Sequence, residues 1–371
     1  MKVLIVSVKT GYGHHSAAKA MIDYLTEKGV TCEMLDTFEY INPLLADSID
    51  NGYMFSTKHF PETYGKAYDM FDRHDEKWDK HSPVAVLSKI VSHQLKDYIT
   101  DYNPDVIIGT HSYACMMMTY LREKNIVTCP LVGIITDFTV HPFWESTELD
   151  YYVIPNELLK NRARRKGIPK EKILPFGIPI KKQFSEKIPK DEARKMLGIE
   201  DKPTFLVMMG SMGFGNVVKD LRAIDDFEED FQILCVCGKN EKMKKEIESI
   251  RWNKKVKAYG FVDNVDVMMD ASDLIITKPG GLTSSEFLAK NIPAIIMNPI
   301  PGQENRNTEF LVNNGAAMMV TDTFSLEEAL FEMMESQVRI DLLRKSVEIL
   351  GKPNATRDVC EFVMKLAKGE N

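Results

Sequence analysis

Short apolar strands alternate with amphipathic helices along most of this chain, and that alternation limits the folds it can adopt. Runs rich in β-branched residues, such as Lys2–Val8, Val106–Thr110 and Thr204–Met209, are separated by longer stretches with helical spacing. Strands joined by helices pair in parallel, because each crossover returns the chain to the same edge of the sheet. The sequence therefore predicts an α/β protein built on doubly wound parallel sheets.

The alternation runs through two halves of the chain that meet near Phe176–Phe184. That segment carries two prolines and interrupts the periodicity, as a linker between domains does. A chain of 371 residues is also longer than one ordinary core supports. We expect two Rossmann-like domains that face a cleft, at 1–180 and 181–355, and a final helix at 356–371 that packs on the first domain.

Composition places the chain among globular proteins and limits its partners. Its 44% apolar and 27% charged residues are ordinary values, and no apolar run is long enough to span a bilayer. The net charge of −7 argues against general nucleic-acid binding. Met1–Val8 enters a strand directly and the six cysteines show no C-x-x-C spacing. We therefore expect a cytosolic chain without a signal peptide, a disulfide or a cysteine metal site.

Two glycine-rich loops follow buried strands in the second half. After the strand Asp273–Thr277, a lysine-proline-glycine-glycine turn leads into a helix, and Gly280–Thr283 expose backbone N–H groups at its start. The positive dipole end of that helix favours an anion such as a phosphate. Glu286 lies one turn further on, where a carboxylate could bridge two ribose hydroxyls. The loop 210–216, which contains Ser211, offers backbone donors in the same way.

The loop after the first strand, residues 9–18, brings two glycines and two histidines to a helix N-terminus. The dipole there lowers the pKa of an imidazole, so that a neutral ring can accept a proton. We assign the role of general base to His14, which follows Gly13 directly, and we expect His15 to point elsewhere. The same G-x-G pattern, with Asp36 near the end of the second strand, also fits a dinucleotide-binding fingerprint, although bulky imidazoles would crowd a pyrophosphate.

The loop 136–144 follows another strand of the first half and carries polar and aromatic side chains together. Asp137 could orient a base or bind an acceptor hydroxyl. His141 could contact a donor sugar or its diphosphate. Phe143 and Trp144 could pack against an apolar acceptor, or they could simply pack beneath the turn. Loops of this kind open at the carboxyl edge of a parallel sheet, which is where ligands gather in such folds.

A long insert, about Ile41 to Asp101, separates the second and third strands and is rich in aromatic and basic side chains. Phe55, Phe60 and Trp78 are the candidates for membrane contact, because aromatic and basic residues together suit a bilayer interface. Many acidic residues weaken that interpretation, and helices packed on the domain flank would account for most of the aromatics. The basic run 160–172 is a weaker candidate for anionic lipid.

These motifs together resemble the glycolipid-forming glycosyltransferases of the GT-B fold, the family of plant monogalactosyldiacylglycerol synthase and bacterial processive diacylglycerol β-glucosyltransferase. The resemblance covers nearly the whole chain and rests on Gly11–Ala18, Thr136–Trp144, Gly260–Asn264, Lys278–Glu286 and Pro301–Asn305. It implies an inverting hexosyltransferase that moves glucose or galactose from a UDP-sugar to diacylglycerol or a glycosyl-diacylglycerol. It also implies a peripheral protein on the cytoplasmic face of a membrane that contains anionic lipid.

The resemblance implies that His14 is the base. We assign catalysis to His14 and Asp137, and we assign a larger set of residues to the donor. The donor-binding residues are Gly13, His141, Ser211, Gly213, Phe261, Val262, Gly280, Gly281, Leu282, Thr283, Glu286, Gln303 and Glu304. Within that set, Phe261 and Val262 would hold uracil, and Gln303 and Glu304 would contact the hexose. The glycine loops would line the diphosphate. Because no D-x-D signature is present, we expect no metal or other cofactor, with backbone donors stabilising the leaving diphosphate.

Four alternatives stay open on the sequence alone. A lipid-linked N-acetylglucosaminyltransferase of peptidoglycan synthesis shares the second-half pattern, but its first loop is usually richer in glycine than Gly11–Gly13. An NAD-dependent Rossmann oxidoreductase accounts for the G-x-G pattern and leaves the second glycine-rich half unexplained. A non-catalytic UDP-sugar sensor would need no base, and a UDP-sugar epimerase is the weakest of the four. The sequence favours neither glucose nor galactose, and it gives neither the number of sugars added nor the oligomeric state.

Overall fold

The computed structural model describes residues 1–9, 13–66, 92–209 and 217–370. It divides into two compact units. Unit 1 comprises Met1–Lys182, Ile300–Gln303 and Asn354–Asn371, and unit 2 comprises Gln183–Pro299 and Glu304–Pro353. Three of the predicted site residues, Trp78, Ser211 and Gly213, lie outside the described residues.

Unit 1 is built on a six-stranded parallel sheet. Its strands are β1 (Lys2–Ser7), β2 (Thr31–Asp36), β3 (Val106–Gly109), β4 (Leu131–Ile134), β5 (Tyr151–Val153) and β6 (Ile173–Leu174). They lie in the order β2-β1-β3-β4-β5-β6, and every neighbouring pair is parallel. The strand β2 lies on one side of β1, and β3 to β6 lie in succession on the other side. The strand order therefore reverses between β1 and β3.

Helices cover this sheet. They are α1 (Gly13–Glu27), α2 (Thr37–Ile41), α3 (Pro43–His59), α4 (Lys96–Tyr102), α5 (Ser112–Glu123), α6 (Lys160–Arg165) and, at the chain end, α16 (Ala355–Ala367). Residues 61–66 are also helical, and short 3-10 helices occupy His93–Leu95, Pro142–Ser146, Glu157–Leu159 and Lys170–Lys172. The final helix packs on α1, where Val359 and Val363 join Met21 and Leu25 in one buried cluster. Each apolar side chain buried in this way contributes roughly 1.5–3 kcal/mol relative to exposure.

Unit 2 repeats the architecture. Its strands are β7 (Thr204–Met208), β8 (Gln232–Val236), β9 (Lys255–Tyr259), β10 (Leu274–Thr277), β11 (Ala294–Ile296) and β12 (Ala317–Met319), in the order β12-β11-β10-β7-β8-β9. Its helices are α7 (Lys182–Ser185), α8 (Lys190–Leu197), α9 (Val217–Asp225), α10 (Glu241–Ser249), α11 (Val265–Ala271), α12 (Gly281–Lys290), α13 (Gln303–Asn313), α14 (Leu326–Glu335) and α15 (Gln337–Leu350). All strand pairs are again parallel, and the order reverses between β7 and β10.

The predicted fold class, two doubly wound parallel sheets, is confirmed, and the differences are local. The strand β6 was not predicted, because two residues carry too little pattern to be recognised. The strand β11 covers only Ala294–Ile296, although the apolar run continues to Met297. Asn298 has a φ of 47°, which lies in the left-handed region and cannot continue a strand. Within the described residues, no helix has the length and apolar character needed to cross a bilayer.

Candidate active site

Each sheet reverses its strand order at one point, and three of the predicted site loops leave a sheet there. In unit 1, β1 is followed by His14 and β3 by His111. In unit 2, β7 is followed by the loop 210–216, which is outside the described residues, and β10 by the turn Lys278–Gly280. Adjacent loops diverge at such a point, and ligands of doubly wound sheets bind in the opening. The topology therefore selects three of the loops that the sequence motifs select, those after β1, β7 and β10, and adds the loop after β3.

His14 lies in the first turn of α1, and the position of its ring is set by two neighbouring strands. Its Nδ1 is 2.8 Å from the carbonyl oxygen of Thr110 and 3.0 Å from Oγ1 of Thr136. A carbonyl oxygen can only accept a hydrogen bond, so Nδ1 carries the proton of the neutral ring. Nε2 consequently presents the lone pair that a general base requires.

The protonation state of His14 agrees with that role. Burial lowers the pKa of His14 to about 4, the hydrogen bond to Thr110 opposes that effect, and the neighbouring His15 lowers it further. The ring is therefore neutral at pH 7. Burial of the ring, and not the helix dipole expected from the sequence, is the main cause of this shift.

His15 is directed to a different partner. Its Nε2 lies 3.1 Å from Oδ2 of Asp36. Asp36 also caps α2 by accepting from the N–H groups of Phe38 and Glu39. Burial raises the pKa of Asp36, but the contacts with His15 and with the Glu39 N–H group outweigh it and lower that pKa overall. Asp36 therefore has a structural role at the start of α2 that needs no nucleotide.

His111 joins the site, although no sequence motif points to it. Its Nδ1 caps α5 by accepting from the N–H group of Tyr113 at 3.1 Å. Its ring meets the ring of His14 edge to face, with centroids 4.6 Å apart and planes at 65°. Burial lowers the pKa of His111 well below its usual value, and His14 and His141 lower it further. The signal was available, because His111 follows a predicted strand of the same sheet.

The loop after β4 reaches the same edge of unit 1. Thr136 contacts His14, as described above, and Asp137 follows it in a partly buried position. His141 caps a 3-10 helix by accepting from the N–H group of Phe143 at 3.1 Å. The partly exposed Phe143 ring lies 4.3 Å from the ring of His141 and 5.2 Å from that of Tyr113. Aromatic contacts therefore tie this loop to the start of α5.

Trp144 is a core residue, so its predicted contact with an acceptor is wrong. The indole is only 5% exposed, and its ring lies edge to face with Tyr152 at 6.3 Å. Gly133 of β4 leaves the space that it fills, since a Cβ at that position would lie 2.8 Å from the indole. Trp144 thus supports the loop from beneath, whereas its neighbour Phe143 packs against His141 and Tyr113.

The described part of the insert presents apolar side chains to solvent. Phe55 and Phe60 are 57% and 56% exposed, and their rings lie 5.9 Å apart. Leu44, at the start of α3, is 77% exposed. In the basic run 160–172, by contrast, Lys166 pairs with Glu145 at 3.2 Å. Membrane contact through the two phenylalanines stays a prediction that this exposure permits.

The turn after β10 presents backbone donors in unit 2. Gly280 caps α12, and the N–H groups of Gly281, Leu282 and Thr283 are among those that the first turn of a helix leaves without an intrahelical partner. A Cβ at Gly280 would meet nothing within 4 Å, so the backbone there is open to approach. Glu286, further along α12, is 8% exposed. The geometry suits an anion at the helix start.

A buried ion pair connects this turn to the following loop. Nζ of Lys278 lies 3.2 Å from Oε2 of Glu304, and the two side chains are 7% and 14% exposed. Burial lowers the pKa of Lys278, while the Glu304 carboxylate raises it in opposition. Nδ2 of Asn307, also on α13, donates to the carbonyl oxygen of Pro279 at 2.9 Å. Two side chains of α13 therefore fix the turn that precedes α12.

The remaining predicted donor residues lie at other ends of strands. Phe261 follows β9 and is 74% exposed, and Val262 beside it is partly buried. In the sheet order, β9 is three strands from β10, or about 14 Å at the usual strand spacing. Gln303 belongs to unit 1, where its Oε1 accepts from the hydroxyl of Tyr64 at 3.2 Å. Among the residues that the structure describes, no group of three or more His, Cys, Asp or Glu side chains could hold a metal ion.

Comparison with known proteins gives the same class of protein as the fold. The crystal structure of MurG from Acinetobacter baumannii superposes on this chain with a TM-score of 0.64 at 16% sequence identity. The match covers 98% of this chain and 99% of the MurG chain. MnaA of S. aureus, solved with UDP, has a TM-score of 0.61 at 14% sequence identity. The match covers 100% of this chain and 97% of the MnaA chain. The fold is that of the GT-B glycosyltransferases. A UDP-GlcNAc 2-epimerase from Neisseria meningitidis has the same fold, with a TM-score of 0.59 at 14% sequence identity over 98% of this chain and 100% of the epimerase chain. The fold alone therefore does not distinguish transferases from epimerases.

Comparison of sequences, in contrast to the fold, distinguishes a glycosyltransferase from an epimerase. Residues 14–180 match the family model of monogalactosyldiacylglycerol (MGDG) synthase, and residues 204–347 match that of the glycosyltransferase family 28 C-terminal domain. A processive diacylglycerol beta-glucosyltransferase of Bacillus pumilus (strain SAFR-032) is 26% identical over 98% of this chain and 94% of its own. A processive diacylglycerol beta-glucosyltransferase of Bacillus cereus (strain AH187) is 27% identical over 98% of this chain and 93% of its own. These matches confirm the resemblance to glycolipid-forming glycosyltransferases that the sequence motifs predicted.

Proposed function

We propose that this chain transfers glucose or galactose from a UDP-sugar to diacylglycerol or a glycosyl-diacylglycerol, with inversion at the anomeric carbon. Two family models and relatives matched over nearly the full chain support the reaction class. The observation that carries the chemistry is the tautomer of His14, whose Nδ1 donates to Thr110 and whose Nε2 is left to accept a proton. Neither a sugar-nucleotide sensor nor a dinucleotide site requires such a base.

In this proposal His14 removes the proton from the acceptor hydroxyl as its oxygen attacks the anomeric carbon. The new carbon–oxygen bond forms on the face opposite UDP, and the bond to the diphosphate breaks with its electron pair leaving on UDP. The imidazolium that results is stabilised by the Thr110 carbonyl at Nδ1. Asp137, in the loop that also supplies Thr136, orients the acceptor hydroxyl. Proton transfer of this kind typically contributes about 10²–10⁴-fold in rate.

The donor is assigned mainly to unit 2. The N–H groups at the start of α12 receive the diphosphate, and the dipole of that helix stabilises the charge that develops on the leaving group. Phe261 stacks on uracil, and Glu286 holds the ribose hydroxyls. Gln303 and Glu304 contact the hexose, with Glu304 held in place by Lys278. That the reaction needs no metal stays a prediction.

The proposed acceptor is a membrane lipid, so we propose that the protein acts at a membrane surface. Diacylglycerol resides in a bilayer, so the enzyme must approach one, and the exposed pair Phe55 and Phe60 is the proposed contact. We place the protein on the cytoplasmic face, on anionic lipid. Sedimentation with anionic vesicles tests this: the double variant Phe55→Ser/Phe60→Ser should pellet less than the wild type. Equal pelleting would remove these residues from the contact.

The reaction itself is tested with radiolabelled UDP-glucose and UDP-galactose, each incubated with diacylglycerol vesicles and followed by extraction of the lipid. Label in glycosyl-diacylglycerol is the expected result, and His14→Ala should reduce its rate by about 10²-fold or more while UDP affinity is retained. His93→Asn, an exposed histidine of unit 1, is the matched control and should be fully active. Label in no lipid would refute the proposal. Preferential transfer from UDP-N-acetylglucosamine to a lipid-linked peptidoglycan precursor would favour the alternative transferase.

A further inference from the structure

Two consecutive residues of one turn act on the ring of His14. β3 ends at Gly109, and Thr110 then gives its carbonyl oxygen to Nδ1 of His14 at 2.8 Å. His111 follows, and its ring lies against the ring of His14 with centroids 4.6 Å apart and planes at 65°. The carbonyl fixes the direction in which Nδ1 points, and the neighbouring ring restricts rotation away from that direction.

The turn that carries His111 is itself fixed. A Cβ at Gly109 would overlap Sγ of Cys115, so the strand and α5 approach each other closely at this point. His111 has an extended backbone, with φ −137° and ψ 139°, and its Nδ1 accepts from the N–H group of Tyr113. Because Nδ1 is an acceptor, the neutral ring carries its proton on Nε2. The ring of His111 therefore has one orientation and one tautomer.

The groups that face these two rings are mostly other imidazoles. His14 and His15 come from α1 and His141 comes from the loop after β4, and each disfavours a positive charge on His111. The carboxylate of Asp36 faces His15, and the ring of Tyr113 lies 4.9 Å from His111. Two imidazolium ions in contact in a partly buried site repel strongly. When His14 takes a proton during the reaction, His111 has to remain neutral.

We propose that His111 is a positioning residue for the base: its ring holds the imidazole of His14 with Nε2 presented for proton transfer and covers that imidazole from water. The catalytic part of this inference rests on the function proposed above. The physical part, that His111 controls the orientation and protonation of His14, does not depend on which acceptor is used.

The variant His111→Asn tests the inference, because asparagine is a good helix cap and keeps the bond to α5 while removing the ring. We expect kcat to fall by about 10–100-fold through misplacement of the base, with the KM for the UDP-sugar unchanged. With its cover removed, His14 should titrate closer to the usual pKa of about 6.5. The acid limb of the kcat profile should move to higher pH, and the NMR titration of His14, assigned with His14→Gln, should move with it.

His111→Phe is the rescue variant, because it restores a ring against His14 without a titratable group. It should return the titration of His14 toward the wild-type value. His93→Asn is the matched control and should leave both the titration and kcat unchanged.

Two results would overturn the inference. One is an unchanged titration of His14 in His111→Asn, whatever happens to kcat, since His111 would then not act through His14. The other is a shifted titration with unchanged kcat. If the wild type transfers no hexose at all, the proposed function fails separately, and the titration still decides whether His111 positions His14.

Discussion

The ion pair between Lys278 and Glu304 gives the sharpest stability prediction. Both side chains are buried, at 7% and 14% exposed, and Nζ lies 3.2 Å from Oε2. Lys278→Met removes the ammonium, fills most of its volume and leaves the carboxylate of Glu304 with a reduced set of partners. Removing one partner of a buried pair costs about 3–5 kcal/mol, because the remaining charge is left in a medium of low polarity. Since Glu304 keeps a little exposure, we expect about 3 kcal/mol.

The assay is urea unfolding of the full chain, monitored by circular dichroism. We expect the midpoint of the transition that unfolds unit 2 to shift to lower urea concentration. The double variant Lys278→Met/Glu304→Gln leaves no uncompensated charge and should recover at least half of the loss. Lys195→Met is the matched control, because Lys195 pairs with Asp191 at 3.2 Å on the surface, with side chains 78% and 66% exposed. Such pairs contribute roughly 0–1 kcal/mol.

The same variant should weaken UDP binding, because Lys278 precedes the turn whose N–H groups are assigned to the diphosphate. If Lys278→Met unfolds within about 1 kcal/mol of the wild type, like the surface control, the pair does not hold the turn in the way the burial indicates. If the double variant is less stable than the single one, the charge left on Glu304 is not the cause of the loss.

The folded pKa of His14, about 4, lies below the unfolded value of 6.5, so the unfolded chain binds this proton first as pH falls. Stability should therefore decrease from pH 6.5 to pH 4, by at most about 3 kcal/mol from this group, and His14→Gln should flatten that slope in urea titrations at a series of pH values. Gly133→Ala places a Cβ against Trp144 and Leu149 and should cost about 1–3 kcal/mol, measured by thermal unfolding against Gly29→Ala as a destabilising control without such contacts. Phe261→Ala should weaken UDP binding by about 1–3 kcal/mol in calorimetry through lost stacking, and Phe261→Tyr should not.

The sheets were largely predictable because their central strands are buried on both faces. Segments such as Val106–Gly109 and Leu274–Thr277 read as continuous apolar runs, which is what a parallel sheet covered by helices requires. The ends of strands were not predictable to the residue. Asn298 leaves β11 through a left-handed backbone conformation, and that choice depends on the loop that follows rather than on the apolar run itself.

The site was predictable as loops and less so as side chains. Glycine-rich loops that follow buried strands pointed to His14 and to the turn before α12, and both follow strands at which the strand order reverses. His111 was missed because its importance depends on β3 lying beside β1, and the sequence does not give strand order. Phe143 and Trp144 are adjacent aromatics with different surroundings, and Gly133, on another element, makes the space that buries the second.

The two units use charge in opposite ways, and this bears on how a diphosphate is held. In unit 1 the imidazoles of His14 and His111 are kept neutral by burial, so one of them can accept a proton. In unit 2 the only lysine of the turn after β10, Lys278, faces Glu304, and its positive charge is largely compensated there. The positive potential available to a diphosphate at this turn must then come chiefly from the N–H groups and dipole of α12. Those donors are fixed in direction, so they select an anion by its position as well as by its charge.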